Sequence, residues 1–566
     1  MGLQQPEEQR AITTAREVLG SLIQAGVRDL VISPGSRSAP LAYAAAEAEH
    51  AGLLTIHVRI DERSAAFMAL GLAQSTRTPV AVAATSGTAI GQMLPAVMEA
   101  NHTATPLLVL SADRPDELHG TGASQSTKQK TLFGEHVRAA LNVSAGQDPV
   151  THVNRALIAL AGSQLNPAGP VQLNLQFRDP LIPGEDETIG SQPWTNIQAG
   201  IWPGVVNQSS TAIVSAQVLP QRRTVVVAGH DAGEQAAEFA QLLGLPLFAE
   251  PSSNARFSTN AITHYRPLIA VGSEHIDRVV LFGRPTLSRP VAKLLADPRI
   301  DSAIWQPTPA PWYEPGRRRE QPINSWEQLV EFAGVGAEGW LANWQDLDRH
   351  AQQIRALHGE ESTLNGLDVA EVLWENQPEV LLLGSSNIVR DFDLAAKPTE
   401  SHGTKVYANR GLAGIDGTIS TAMGLAVGSG QRTVAVMGDI TFAHDASSLM
   451  WAPSEPQPQL DVVVYNDGGG AIFSTLEHGA VDDSGRYAEA VERLFATAQQ
   501  FDVQSLAKAY GWRYERATSR AQLSDILTQS EEKTLRLIEV PASRETLRAD
   551  NQRLNQHISS LVWPEP

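Results

Sequence analysis

The stretches VAVMGDITFAHDASS (residues 434–448) and LDVVVYNDGGGAIF (residues 460–473) each contain a short, strongly apolar run followed by a polar turn. Apolar, β-branched runs of this length, bounded by glycine and polar residues, are typical of buried strands in a parallel sheet. Asp439 follows the first run directly, and Asn466 ends the second. The two stretches therefore predict an α/β fold with polar side chains at the ends of two successive strands.

The residues at these two strand ends suit a hard divalent cation, which takes oxygen ligands. Asp439 offers a carboxylate, Asn466 an amide oxygen and Gly468 a free backbone carbonyl. The pattern resembles the thiamine-diphosphate motif, written as GDG followed a few tens of residues later by NN. Here Ile440 and Tyr465 replace the last glycine and the first asparagine. The resemblance implies thiamine diphosphate with Mg²⁺, or Mn²⁺, held by these three ligands, and the alternative is two ordinary strand-end turns.

Outward from this region, the whole chain alternates helical stretches with short β-branched runs. Linker-like composition, rich in Pro, Gly and polar residues, appears near residues 186–210 and again near 309–360. We interpret the chain as three doubly wound α/β domains with mainly parallel sheets. The predicted domains are residues 1–185, 186–350 and 351–566.

The composition limits which classes of function fit. The 566 residues are 42% apolar, contain no cysteine and carry a formal net charge of −19. Disulfides and thiolate chemistry are excluded, and a nucleic-acid or anionic-membrane partner is disfavoured because those surfaces select basic proteins. The polar N-terminus and the lack of a long apolar run predict a cytoplasmic protein without an integral membrane segment.

A second chemical candidate lies far upstream, in HVRIDERSAAFMALGLA. Glu62 stands where a strand gives way to a helix whose alanines permit close packing. In thiamine-diphosphate enzymes, a glutamate at this place hydrogen-bonds the cofactor's aminopyrimidine and favours the tautomer that deprotonates the thiazolium carbon. The alternative for Glu62 is a helix N-terminal carboxylate stabilised by the helix dipole.

Five further segments carry a more specific resemblance. The chain resembles the 2-succinyl-5-enolpyruvyl-6-hydroxy-3-cyclohexene-1-carboxylate synthase family of menaquinone biosynthesis in SPGSRSAPL (33–41), TSGTA (85–89), SADRPDELHGTGASQ (111–125), GSSNIVRDFD (384–393) and NRGLAGIDGTIST (409–421). The resemblance implies the thiamine-diphosphate-binding fold and a transferase that decarboxylates 2-oxoglutarate. The resulting succinyl-semialdehyde carbanion adds to isochorismate, with release of CO₂.

The resemblance also implies roles for individual residues. Glu62, Arg390 and Arg410 are the expected catalytic residues. Residues expected to contact the cofactor are Glu62, Thr85, Ser86, Gly87, Ser386, Ile415, Asp439, Asn466 and Gly468. Residues expected to bind the carboxylate-rich substrates are Ser36, Arg37, Arg114, Gln125, Arg289, Ser386, Arg390 and Arg410. Arginine suits that task because its guanidinium group pairs with carboxylates in bidentate fashion.

The superfamily builds its active site where two subunits meet, so the resemblance implies a homodimer or a dimer of dimers. The nearest alternative is another thiamine-diphosphate 2-oxo acid decarboxylase or carboligase. A catalytically silent homologue is a second alternative. A nicotinamide-dependent enzyme built on VVVAGHDAG (225–233) is a third, although this segment lacks the GxGxxG spacing and favours a structural turn.

Overall fold

The computed structural model describes residues 10–190, 194–203, 219–314, 316–357, 364–399, 403–529 and 534–564. Three large sheets follow one another along the chain, and every strand pairing within them is parallel. Helices pack on the sheets, as a parallel sheet with buried faces requires. The predicted α/β class with mainly parallel sheets is confirmed.

The first sheet has six strands in the order β2-β1-β3-β4-β6-β5. Its strands are β1 Asp29–Ile32, β2 Thr55–Val58, β3 Val80–Ala84, β4 Leu107–Asp113, β5 Ala139–Val143 and β6 Val171–Gln176. The helices of this part of the chain are α1 Ala11–Gln24, α2 Ala39–His50, α3 Glu62–Thr76, α4 Thr88–Gln92, α5 Leu94–His102 and α6 Val150–Ala161.

The central sheet has five strands in the order β12-β11-β10-β8-β9, and β7 pairs separately with β13. The strands are β7 Gln221–Arg222, β8 Thr224–Ala228, β9 Leu247–Ala249, β10 Arg278–Phe282, β11 Asp301–Trp305, β12 Gln321–Ile323 and β13 Val335–Gly336. The helices are α7 Glu234–Leu243, α8 Tyr265–Gly272, α9 Arg289–Ala296, α10 Trp326–Ala333 and α11 Trp340–Leu357.

The third sheet again has six strands, in the order β15-β14-β16-β17-β19-β18. They are β14 Val380–Leu383, β15 Lys405–Tyr407, β16 Thr433–Gly438, β17 Leu460–Asn466, β18 Arg513–Arg516 and β19 Leu535–Pro541. The helices are α12 Gly366–Asn376, α13 Ile388–Ala395, α14 Thr418–Ser429, α15 Asp439–His444, α16 Glu477–Asp483, α17 Ala488–Val491, α18 Val503–Tyr510, α19 Arg520–Thr528 and α20 Leu547–Ser559.

Helices α3 and α14 join the first and third sheets' layers by close backbone contact. A Cβ atom on Gly71 of α3 would lie 2.2 Å from the carbonyl oxygen of Thr421, and one on Gly424 of α14 would lie 2.1 Å from that of Met68. Both positions therefore require glycine. The alanines of α3 are buried around this crossing, which agrees with the close packing expected of that helix.

Two helices near the predicted boundaries pack on the central sheet's core. Trp344 of α11 and Ile558 of α20 are fully buried in the same apolar cluster as the central strands. Residue 350 lies inside α11, and α20 returns to the central layer after the third sheet is complete. The ranges of the three domains stay predictions. No helix in the described ranges is long and apolar enough to cross a membrane.

Candidate active site

The two strand ends that carry the cation-binding pattern are direct neighbours. β16 and β17 pair in parallel with Gly438 opposite Tyr465, so Asp439 and Asn466 follow at the same carboxyl edge. Asp439 is the first residue of α15 and is 2% exposed. Its Oδ1 accepts a hydrogen bond of 2.7 Å from the amide of Ile440. Burial raises the pKa of the Asp439 carboxyl, although backbone amides donate to it.

The other two predicted ligands present oxygens at this edge. The Asn466 Nδ2 donates to Glu539 Oε1 at 2.8 Å, and no described residue donates to the Asn466 amide oxygen. Gly468 has φ +78°, a left-handed conformation that glycine adopts without strain. The described residues contain no group of three or more His, Asp or Glu side chains that could hold a metal. A carboxylate, an amide oxygen and a backbone carbonyl fit a hard cation whose remaining ligands come from a cofactor and water.

The electrostatics of this edge also favour a cation. Burial, followed by the negative charges of Asp439 and Asp391, raises the pKa of Asp467 to about 8. Arg544 is the basic group that opposes this effect. Carboxyl groups that crowd one another in a buried place are stabilised by added positive charge.

The loop after the neighbouring strand β14 brings Ser386 to the same edge. The Ser386 Oγ accepts a hydrogen bond of 3.2 Å from the amide of Gly438, immediately before Asp439. Arg390, on the first turn of α13, donates from Nη1 to the Ser386 carbonyl at 3.5 Å. The structure therefore brings Ser386 and Arg390 together beside the predicted cation ligands.

Arg410 completes this group from the loop after β15. It is 5% exposed, and it donates from Nε to Thr286 Oγ1 at 3.0 Å and from Nη2 to the Thr286 carbonyl at 2.9 Å. Burial, then the positive charge of Arg410, lowers the pKa of Arg390, so the two guanidinium groups lie near each other. Neither arginine forms an ion pair with a residue in the described ranges.

A second group forms at the carboxyl edge of the first sheet. Arg114, which follows β4, donates to the Ser86 hydroxyl and, at 3.1 Å, to the Gln125 carbonyl. A Cβ on Gly87 would lie 3.4 Å from Gln125 Cβ. Burial lowers the pKa of Arg37, and the nearby charge of Arg114 lowers it further. These predicted residues are therefore neighbours.

The loop that carries Ser36 lies against the same edge. Ser36 is exposed, and the adjacent Gly35 packs so closely on Thr85 that a Cβ there would lie 2.3 Å from Thr85 Cβ. Arg37 donates from Nη1 to the Phe177 carbonyl at 2.7 Å, while its buried Nε has no partner in the described ranges. This unpaired donor is suited to an acceptor from a ligand.

Glu62 is the first residue of α3, but it does not cap the helix. The cap is Asp61, whose carboxylate accepts from the amides of Arg63 at 2.9 Å and Ser64 at 3.2 Å. No hydrogen bond or ion pair joins the partly exposed Glu62 side chain to another described residue. Its carboxylate is therefore available to a ligand or to a second chain.

Two predicted residues stand apart from both groups. Arg289, the first residue of α9, is 72% exposed in its side chain and pairs with Glu477 at 2.9 Å. Ile415 is partly buried and belongs to none of the apolar cores of the described residues. No described hydrogen bond or ion pair joins the group at the first sheet to the group at the third.

Sequence reasoning missed the buried acids that position these loops. Glu99 is 3% exposed and accepts from the amides of Gly411 and Leu412, both at 2.7 Å, directly after Arg410. Glu250 accepts from the amides of Thr286 at 2.7 Å and Leu287 at 2.9 Å. Glu99 is the one acidic residue of the helix LPAVMEANH and follows five apolar residues, a signal that could have marked it.

Comparison with known proteins covers almost all of the chain. Residues 12–132 match the model of the thiamine pyrophosphate enzyme N-terminal TPP binding domain, and residues 394–540 match that of the C-terminal TPP binding domain. The chain is 51% identical to the 2-succinyl-5-enolpyruvyl-6-hydroxy-3-cyclohexene-1-carboxylate synthase of Paenarthrobacter aurescens (strain TC1), over 98% of this chain and 97% of that protein. The synthase of the same name from Kineococcus radiotolerans is 40% identical over 97% of this chain and 99% of the relative.

One solved structure adds evidence on the fold. The crystal structure of benzoylformate decarboxylase from Polynucleobacter necessarius superposes with a TM-score of 0.66, over 95% of this chain and 99% of that one. The two sequences are 17% identical, so this likeness concerns the fold alone.

Proposed function

The chain belongs to the family of 2-succinyl-5-enolpyruvyl-6-hydroxy-3-cyclohexene-1-carboxylate synthases, and on that premise we propose its reaction. It decarboxylates 2-oxoglutarate with thiamine diphosphate and joins the remaining four-carbon unit to isochorismate, in menaquinone biosynthesis. The enzyme is accordingly a thiamine-diphosphate-dependent transferase that forms a carbon–carbon bond. Another thiamine-diphosphate decarboxylase or carboligase is the alternative.

The observation that carries the choice of substrate is the pair Arg390 and Arg410. Both guanidinium groups are largely removed from water, they lie near each other, and neither has a described carboxylate within ion-pair distance. Nearby acids offset part of this charge without pairing directly with either guanidinium group: Glu250 and Glu99 near Arg410, and Asp391 and Asp393 near Arg390. A ligand carboxylate that pairs directly with the guanidinium groups would therefore be stabilised. A 2-oxo dicarboxylate offers two such groups, whereas an apolar 2-oxo acid such as benzoylformate lacks the second carboxylate.

Thiamine diphosphate and a divalent cation fit the described residues. When bound, the cofactor supplies a carbon nucleophile that lets a 2-oxo acid lose CO₂ and then attack a second substrate. We assign Asp439, Asn466 and the Gly468 carbonyl to Mg²⁺ or Mn²⁺. Ser386 orients the amide of Gly438 beside them, and Ile415 offers an apolar surface to the cofactor.

We assign proton transfer to Glu62. Its carboxylate stands at the end of α3 without a described partner, while Asp61 caps the helix. Glu62 can therefore hold a proton at the cofactor's aminopyrimidine without destabilising its own helix. Thr85, Ser86 and Gly87 supply hydroxyl and amide groups at the same sheet edge.

The isochorismate carboxylates are assigned to the group at the first sheet, Ser36, Arg37, Arg114 and Gln125. The unpaired Nε of Arg37 and the charge of Arg114 favour an anion there. Arg289 is also assigned to this substrate, and its long exposed side chain must leave Glu477 to reach it. Because no described hydrogen bond or ion pair joins the two groups, we propose that a homodimer or a dimer of dimers completes the site, in the cytoplasm.

The test is turnover by the purified protein with thiamine diphosphate, Mg²⁺, 2-oxoglutarate and isochorismate. Loss of isochorismate and release of CO₂ are expected in equal amounts. CO₂ release that does not depend on isochorismate points to the alternative decarboxylase. No reaction with either substrate overturns the proposal.

A matched pair of variants links the reaction to the site. Glu62→Gln removes the proposed proton carrier, and Glu331→Gln makes the same change on the exposed face of α10. Activity lost in the first and kept in the second supports the assignment. Equal activity in both shows that Glu62 plays no chemical part.

A further inference from the structure

A cavity of about 200 Å³ lies where the central layer meets the third sheet's helices. It is lined by residues of α11, α12, α13 and α19 and by the chain just before α8. None of the residues assigned to substrate or cofactor lines it. We call it the junction cavity.

Arg355 of α11 places a buried guanidinium group with two unpaired hydrogen-bond donors at the junction cavity. The residue is 7% exposed, and neither its Nε nor its Nη2 has a hydrogen-bond partner among the described residues. Nη2 lies 3.8 Å from Asp368 Oδ1 and 3.5 Å from Glu371 Oε1, which are ion-pair contacts without hydrogen bonds. Nε and Nη2 form the edge of the guanidinium group that binds a carboxylate or phosphate through two parallel hydrogen bonds.

The two nearby carboxylates already have a stronger partner. Arg520 donates from Nη1 to Asp368 Oδ1 at 2.9 Å and to Glu371 Oε2 at 2.7 Å. Arg520 therefore neutralises much of the negative charge that Arg355 would otherwise use. Arg355 lines the cavity, and its Nε and Nη2 still lack a hydrogen-bond partner in the described ranges.

Two further buried polar atoms at the cavity wall lack partners in the described ranges. They are Nε2 of His264 and Oγ1 of Thr263, in residues that are 2% and 1% exposed. His264 uses Nδ1 for a hydrogen bond of 2.9 Å to Asp348, whose other oxygen accepts from the amide of Thr263 at 3.1 Å. Asp348 thus holds both residues in place and leaves Nε2 and Oγ1 for another partner.

Size and charge together define what the cavity accepts. About 200 Å³ is below the range of drug-sized pockets and suits a ligand of a few heavy atoms. Lys397 stands at the exposed rim and adds a further positive charge. Buried donors of this kind in native proteins are normally satisfied by protein, water or ligand acceptors.

We propose that the junction cavity binds a small oxyanion, such as phosphate or a short dicarboxylate. The bidentate edge of Arg355 holds two oxygens of the anion, and Thr263 Oγ1 donates to another. The anion ties α11 and the central layer to α13, whose last residues line the cavity and whose first turn carries Arg390. The proposal does not depend on the reaction proposed above.

The first experiment is calorimetric titration of the full-length protein with inorganic phosphate and, separately, with malonate, at constant ionic strength. Wild type is expected to bind one of them saturably. Arg355→Met should weaken that binding about 100-fold, since it removes a bidentate charged contact. Arg349→Met is the matched control on the same helix, because Arg349 is 62% exposed and pairs with Asp346, and it should bind as wild type does.

Thr263→Val gives a second test, in which thermal stability is expected to rise while anion affinity falls. The substitution keeps the side chain's shape but removes a buried hydroxyl that has no described partner. The ligand-free protein should therefore melt at a higher temperature, while anion affinity falls about 10-fold. A variant that melts lower and binds normally contradicts the proposal.

The arginines of the candidate active site could also bind an anion. Variants of one arginine at each site therefore show which of the two sites holds the anion. Arg390→Met should leave binding at the junction cavity unchanged, and Arg355→Met should weaken it about 100-fold. The reverse pattern assigns the bound anion to the active site and overturns the proposal. Absence of saturable binding for both probes shows that water fills the cavity, and it overturns the proposal as well.

Discussion

The first and third sheets share one topology but differ in the chemistry of their carboxyl edges. Numbered within each unit, both sheets follow the strand order 2-1-3-4-6-5. The first edge carries Ser86, Arg114 and Arg37, which are donors to anions. The third edge also carries arginines, Arg390 and Arg410, but adds Asp439 and other acids that suit a cation. Topology thus determines where a site can form, and the residues just beyond each strand determine what it binds.

Each of the two units also has a buried acid that contacts the other unit. Glu99 of the first unit holds the loop after Arg410 in the third, and Asp445 of the third pairs with Arg63 of the first at 3.2 Å. Asp445 also accepts from the amide of Ile419 at the start of α14. The two units are therefore joined by buried acids as well as by the close crossing of α3 and α14.

The largest effect is expected from Glu62→Gln, which tests whether the first unit supplies the proton carrier. Turnover should fall about 1,000-fold, the middle of the range for losing a general acid–base group. The melting temperature should change little, because Asp61 caps α3. Coupled loss of isochorismate and release of CO₂ is the measurement, and Glu331→Gln is its control.

Asp439→Asn tests whether the third edge is the cation site. Affinity for thiamine diphosphate with Mg²⁺ should fall about 100-fold, a magnitude seen when metal-site residues are lost. The protein without cofactor should become more stable, because the substitution removes a charge that burial destabilises. Calorimetric titration of cofactor and thermal melting measure the two effects. Unchanged affinity would remove Asp439 from the ligand set.

Arg390→Met and Arg256→Met compare a partly buried arginine with a fully buried one. Arg256 is 1% exposed and donates to the carbonyls of Ala249 at 2.7 Å and Asp393 at 2.8 Å, beside the Asp393 carboxylate. Its loss should destabilise the fold by about 3 to 5 kcal/mol. Loss of Arg390, which has no described ion pair, should instead raise KM for 2-oxoglutarate about 30-fold.

The readouts for this pair are steady-state kinetics and denaturant unfolding, measured on both variants. A large stability loss for Arg390→Met, with KM unchanged, would make it a structural arginine like Arg256. Arg390 would then have no assigned role in binding 2-oxoglutarate.

The smallest effect is a pH dependence at Glu250, the acid beside Arg410. Burial raises the pKa of Glu250 to about 7 from 4.5. Between these values the folded chain holds a proton that the unfolded chain has released, so stability falls as pH rises through this window. The contribution is on the order of 1 kcal/mol.

Glu250→Gln should remove this part of the pH dependence. Melting temperatures of wild type and variant, compared at about pH 5 and about pH 7.5, measure it. As the pH rises from about 5 to about 7.5, the melting temperature of Glu250→Gln is expected to increase relative to that of wild type. A constant gap would show that Glu250 is ionised throughout.

Much of the fold and part of the site could be predicted from local sequence. Apolar runs bounded by glycine marked the central strands, because a strand buried on both faces needs continuous apolar residues. The polar residues after β16 and β17 were recognisable for the same reason, and their pairing register then made Asp439 and Asn466 neighbours.

Other features depend on contacts between distant segments. Nothing local indicates that Arg410 rests on Thr286, that Glu99 holds Gly411, or that α20 packs on the central core. In the sequence, Arg289 lies near glycine and proline like the other predicted substrate-binding arginines. In the structure it is exposed and pairs with Glu477. Such pairings join residues separated by more than a hundred positions, and local patterns do not encode them.

The sequence by itself determined the α/β class, the strand ends that carry chemistry and the family to which the chain belongs. Those features follow from periodicity, turn residues and motifs, which act over a few residues. Only the tertiary structure decided which buried arginines have carboxylate partners and which remain open to a ligand. That distinction depends on desolvation and on distances between segments, and both exist only once the chain has folded.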